Sequence, residues 1–195
     1  MDSKDRTTPG HGGVGIARRF SRSAVLALAV GLCASSLGNP FNSRVLAGEP
    51  RLVEPRRLLE KQTLELINHD RLAPEHVDET KGRAQPLAWD RRLSEVARAH
   101  SEEMARFGYF SHQAAGGQSP ADRLSAAGII WVRVGENIAS CETVVEAESA
   151  FMHEPRFEHN HRWNILNPDY TRIGVGIASG SDGRLYITED FARLP

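Results

Sequence analysis

Ile173-Gly174-Val175-Gly176-Ile177-Ala178-Ser179 alternates β-branched and small residues, Ser181-Asp182-Gly183 makes a turn, and Leu185-Tyr186-Ile187-Thr188 resumes the alternation. A period of two on both sides of a Gly-containing turn is the pattern of a β-hairpin. Upstream the period changes. Leu93, Val96, Ala97, His100, Met104 and Phe107 recur at intervals of three and four, Asp90 stands where a helix wants its N-cap, and Gly108 where it stops. Ser119-Pro120 opens a short helix that Gly128 closes. Thr143 opens another, with Val144, Ala147 and Phe151 on one face and Pro155 past its end. Leu59, Leu66 and Ile67 give residues 57–68 a helical spacing, and residues 129–134 are a further strand candidate. Helices early and antiparallel strands late predict an α+β fold, a sheet covered by helices. Trp89, at the start of the Asp90-capped helix, is expected in its core.

A chain of 195 residues with 40% apolar and 25% charged side chains holds one sizeable core. Its 24 basic and 25 acidic residues, with a pI near 6.7, exclude the basic face of a nucleic-acid binder. Residues 1–47 differ in kind from the rest. Arg18, Arg19 and Arg22 run into the apolar stretch Ala24-Val25-Leu26-Ala27-Leu28-Ala29-Val30-Gly31-Leu32-Cys33, followed by small residues ending Val45-Leu46-Ala47. That order is a secretory signal peptide with cleavage expected near residue 47, and its apolar run is half the roughly 20 residues a membrane-spanning helix needs. No stable membrane span is expected after cleavage, and the protein is expected to be secreted or extracytoplasmic. Residues 48–57 read as a linker and 58–195 as the domain. Beyond residue 47 there remain 18 basic and 23 acidic side chains, a net of −5, and one cysteine, Cys141, so no internal disulfide can form.

Seven histidines follow the leader. His112 follows Phe110-Ser111, Glu136 sits in Gly135-Glu136-Asn137, and Glu154 and His161 flank a loop with Pro155 and Arg156. Two imidazoles and two carboxylates are the right materials for a divalent cation such as zinc: neutral ring nitrogens supply lone pairs, and carboxylates either ligate or hold the other ring nitrogen. Local spacing alone does not bring them together. His153-Glu154 with His159 is not a zincin motif, because the two histidines are six residues apart, about 240° around a helix, with a proline between them. His100 lies on the buried face of its helix and reads as a core histidine, and Cys141 as a small buried hydrophobe.

Several segments in fixed order resemble the CAP superfamily of cysteine-rich secretory, antigen 5 and pathogenesis-related proteins and its bacterial SCP-like relatives. Leu66-Ile67-Asn68-His69-Asp70-Arg71 is similar to the first-helix hN..R pattern, and Pro86-Leu87-Ala88-Trp89-Asp90-Arg91-Arg92-Leu93 to PL.WD..L. Phe110-Ser111-His112 matches the first site histidine, Gly135-Glu136-Asn137-Ile138-Ala139 the GENIA motif, and His161-Arg162-Trp163-Asn164-Ile165-Leu166-Asn167-Pro168 the GHR.NIL.P motif. The likeness spans residues 58–191. It implies a three-layer α-β-α sandwich with a central antiparallel sheet, and a cleft lined by His112, Glu136, Glu154 and His161, with His112 and His161 as ligands of zinc or another divalent cation. Asn160 stands where the family has Gly, and residues 156–159 look inserted, which leaves His159 as a rival to His161. The resemblance implies no single chemistry. The cleft binds a small lipophilic ligand, a sterol, a peptide or a protein partner; or it is a metal-dependent hydrolase of peptides or esters; or the cluster is structural and the domain is an interaction module without metal.

Overall fold

The Asp90 carboxylate accepts the N–H groups of Arg92 at 2.8 Å and Leu93 at 3.1 Å, and so starts α3 (Arg91–Phe107) at the residue the sequence marks. Gly108, in the left-handed conformation at φ +67°, ends it. The computed structural model describes residues 53–195; the expected signal peptide and the first half of the linker lie outside them. In chain order follow α1 (Val53–Leu72), a 3-10 turn (Pro74–His76), α2 (Val77–Thr80), β1 (Ala88–Trp89), α3, α4 (Pro120–Ala126), β2 (Arg133–Cys141), α5 (Val144–Met152), α6 (His161–Leu166), β3 (Arg172–Ser179) and β4 (Leu185–Arg193). Ser119 forms a reciprocal capping box with Asp122, and Thr143 caps α5.

The sheet runs β1-β3-β4-β2. Its three long strands are antiparallel, while the two-residue β1 pairs parallel to β3, so the central antiparallel sheet carries one short parallel edge. Alternate residues of β4 divide the core. Ile187 and Phe191 face Ile67 of α1, Phe151 of α5 and Ile165 of α6, whereas Ala192 packs with Leu93 and Leu124, and Tyr186 with Met104. Helices thus cover both faces, the α-β-α sandwich.

Gly174 and Gly176 explain why β3 alternates with glycine. A methyl group added at Gly176 would lie 2.1 Å from the Arg98 backbone nitrogen, and one at Gly174 2.2 Å from the Leu93 carbonyl carbon. The backbone of α3 therefore rests directly on β3. Gly176→Ala is expected to lose about 2–3 kcal/mol in urea unfolding; a loss under about 0.5 kcal/mol would mean that the helix stands off the strand.

Four expectations need correction. α1 begins at Val53 rather than 57, inside the stretch read as linker, because Pro55 falls in the first turn, where no intrahelical N–H is needed. The strand candidate at 129–134 starts only at Arg133, where pairing with Arg193 begins; the Ile129 N–H instead closes α4 on the Leu124 carbonyl. β4 runs past Thr188 through Glu189 and Asp190, both buried. Trp89 is half-buried, packed against the core edge beside Leu64 rather than inside it.

Candidate functional site

β2 is an edge strand, and the helices on the two faces of the sheet bring their loops to its open side. From one face comes the α3–α4 loop with His112; from the other come the α5–α6 loop and the first turn of α6, with Glu154 and His161. The His112 and His161 rings stand 6.5 Å apart between centroids with their planes 28° off parallel. All four residues singled out in the sequence line one open cavity of about 460 Å³, together with Phe157, His159 and Asn160.

Each imidazole has its own carboxylate. His112 Nδ1 donates to Glu136 Oε1 at 2.7 Å, and His161 Nδ1 to Glu154 Oε1 at 2.5 Å. A proton fixed on Nδ1 leaves the lone pair on Nε2, and neither Nε2 bonds to a described residue. Both carboxylates are otherwise engaged. Arg123 of α4 takes the second oxygen of Glu136, and Glu154 Oε2 accepts the N–H of His161 at 3.0 Å, an otherwise orphan donor at the start of α6. Phe151 stacks on the His161 ring at 4.5 Å, giving the ring an apolar wall. His159, the rival, instead lies tilted against Trp163 with ring centroids 4.9 Å apart and bonds to neither carboxylate.

Glu136 lies within β2, paired opposite Asp190, and not in the loop its Gly-Asn neighbours suggest. Asp190 is fully buried, and among the described residues neither of its oxygens meets a donor. Burial, then the adjacent Glu136 carboxylate, push the Asp190 carboxyl well above the usual range, so it keeps its proton and can share it with Glu136. On the other face of the strand an amide relay ties β2 to α6: Asn164 Nδ2 donates to Asn137 Oδ1 at 2.9 Å and to the Glu136 carbonyl at 3.2 Å, while Asn137 Nδ2 donates to the His161 carbonyl at 3.3 Å. Arg123, Asn137, Asn164 and Asp190 build the site but are not singled out by the sequence reading; the Asn residues fall inside the GENIA-like and NIL-like segments that carried the resemblance.

The family model for the cysteine-rich secretory protein (CAP) family matches residues 64–191. The chain belongs to this family. As a CAP domain it is 40% identical over 124 residues to the uncharacterized Bacillus subtilis protein YkwD, covering 63% of this chain and 44% of that one. It is 36% identical over 134 residues to the uncharacterized membrane protein YlbC of the same organism, covering 69% and 34%. The chain therefore spans less than half the length of these curated relatives. Among solved structures, an extracellular protein containing an SCP domain from Bacillus anthracis matches with TM-score 0.56 at 26% identity, over 75% of this chain and 45% of that one. An outer surface protein of Borrelia burgdorferi matches with TM-score 0.55 at 17% identity, over 69% and 95%, a likeness of fold alone.

Proposed function

We propose that this CAP domain is an extracytoplasmic binding protein whose cleft holds a divalent cation on His112 and His161 and receives a lipophilic ligand, a peptide or a protein partner over it. The observation that carries the reading is the pairing of each Nδ1 with its own carboxylate, which leaves an Nε2 lone pair on each of two rings 6.5 Å apart between centroids. Among the described residues no three His, Cys, Asp or Glu side chains converge as a metal cage, so the protein would supply two ligands and leave the remaining positions to water or the bound molecule. A cation bound there would act as a Lewis acid toward an oxygen of that molecule. Phe157, Pro155 and His159 give the cavity an apolar and aromatic rim suited to such a ligand.

A binding role is favoured over hydrolysis because neither carboxylate is left to serve as a general base: Glu136 is held by His112 and Arg123, and Glu154 by the ring and backbone of His161. The extracytoplasmic assignment rests on the leader-like order of residues 1–47. It agrees with the Bacillus anthracis match being described as extracellular, and among the described residues no helix is long and apolar enough to cross a membrane.

Isothermal titration with zinc tests the reading. His112→Ala and His161→Ala are each expected to weaken zinc binding at least about tenfold, with His159→Ala close to the parent. If both substitutions leave the isotherm unchanged, the cation leaves the proposal. Turnover of a peptide library that chelator abolishes and zinc restores would replace binding with hydrolysis.

A further inference from the structure

The loop that carries His112 is largely exposed, yet buried and half-buried side chains tether it at residues 109, 111, 112, 115 and 118. His100 on α3 is 1% exposed, and its Nε2 lies 2.9 Å from the Ser111 carbonyl, the peptide immediately before His112. A carbonyl only accepts, so Nε2 carries the proton. The other ring nitrogen, Nδ1, is buried without a hydrogen-bond partner among the described residues and lies 3.8 Å from Glu103 Oε2. Glu103, one turn along the same helix, accepts the Tyr109 hydroxyl at 2.7 Å on one oxygen and the Ala115 N–H at 3.3 Å on the other. Arg123 completes the set from α4 by donating to the His112 carbonyl at 2.8 Å and the Gln118 carbonyl at 3.1 Å. Both peptide carbonyls that flank the His112 Cα are thus held by side chains that do not enter the cleft.

We propose that His100, with Glu103 beside it on α3, is a positioning residue that fixes the backbone of residues 109–115 and so sets where the His112 ring stands in the cleft. Neither lines the cleft, and their hydrogen bonds reach it through the loop. His100 suits the task because it stays neutral: burial, then the Arg123 cation, lower its affinity for a second proton, so it offers one donor in one direction. Burial and the Glu103 carboxylate push the Tyr109 phenol up to about 12, which keeps it a donor throughout the physiological range. A loop held this way does not have to be ordered when a ligand arrives, and the affinity of the cleft includes no ordering cost.

The effect on binding rests on the reading of His112 as a cation ligand; the effect on the loop does not, and the test separates them. Backbone ¹⁵N order parameters at Gln113, Ala114 and Ala115 are expected to fall from about 0.85 to below about 0.6 in His100→Leu and to drop partway in the milder Glu103→Ala. His100→Gln, whose amide N–H can reach the same carbonyl, is expected to restore them. Ile177→Ala, a core truncation on the opposite face of the sheet, should lower global stability and leave the loop ordered. In zinc titration His100→Leu is expected to bind at least about fivefold more weakly and His100→Gln within about twofold of the parent. A loop equally ordered in His100→Leu and Glu103→Ala, or loosened equally by Ile177→Ala, overturns the proposal. A parent protein that takes up no zinc overturns the cation reading instead, while the order parameters still decide the tether.

Discussion

Arg71→Met is expected to cost on the order of 4–5 kcal/mol and to leave a large part of the chain unfolded at 37 °C, because a domain of this size has only roughly 5–15 kcal/mol of net stability. Arg71 is 2% exposed and has no acidic partner among the described residues. Its guanidinium donates to four main-chain carbonyls: Gln85 at 2.9 Å, Ile165 at 2.6 Å, Asn167 at 2.9 Å and Tyr170 at 3.3 Å. Ile165 belongs to the last turn of α6, and Asn167 is its C-cap, where carbonyls lack intrahelical donors and favour a cation. One side chain from the last turn of α1 therefore stitches α6, the segment before β1 and the approach to β3 into one unit. Burial pulls the guanidinium down only to about 10, so it remains charged at neutral pH. Methionine fills the volume but strands those acceptors. Lysine keeps the charge with a single point donor group, and Arg71→Lys should fall between parent and Met. Thermal unfolding decides the matter: a Met variant within about 1 kcal/mol of the parent would show that water satisfies the four carbonyls equally well.

Arg71 also marks the limit of what the sequence discloses. It stands in the hN..R-like segment and is legible as a motif position, but its four acceptors lie 14 to 99 residues away, and nothing local announces them. Features that depend on a few adjacent residues were readable directly: the Asp90, Ser119 and Thr143 caps, the Gly108 stop and the hairpin turn. Features set by tertiary pairing were not. Gly135-Glu136-Asn137 has the composition of a turn, yet nine register pairs with β4 hold it as strand. Glu189-Asp190 has the composition of a solvated strand end, and both are fully buried. The histidines and glutamates of the cleft are nameable by residue type, but only a resemblance spanning the whole domain groups them as one site, because the His112 and His161 rings come together from opposite faces of the sheet and nothing local announces their approach. Helical periodicity places His100 in the core, where it is 1% exposed, but does not disclose the carbonyl it holds.

The buried acids make the fold sensitive to alkali, and Glu189→Gln is expected to remove much of that sensitivity. Glu189 is fully buried in β4; Asn137 donates to one of its oxygens at 3.0 Å, and the other has no partner among the described residues. Burial pushes its carboxyl up to about 8 against the single opposing hydrogen bond. Glu148 of α5 is raised in the same direction by burial, then by Glu189 and Asp70, and Asp190 by burial and Glu136. Below about pH 4.5 the folded and unfolded chains both hold the Glu189 proton, and the group contributes no pH dependence. Between about 4.5 and 8 the unfolded chain releases the proton while the folded chain keeps it, so stability falls as pH rises, by on the order of 3–4 kcal/mol at pH 7.5. Above about 8 the loss levels off. Glutamine copies the neutral acid, still accepts from Asn137 and never ionises. Glu189→Gln should therefore match the parent near pH 4.5 and exceed it by roughly 3 kcal/mol at pH 7.5 in urea unfolding. His100, held neutral by burial, favours folding above its ordinary value near 6.5 and loses that contribution in acid, but it is common to both proteins and cancels in their difference. A Gln variant whose advantage does not grow with pH would mean that Glu189 is already ionised in the folded protein, and that a cation or a water network among Glu189, Glu148 and Asn137 carries its charge.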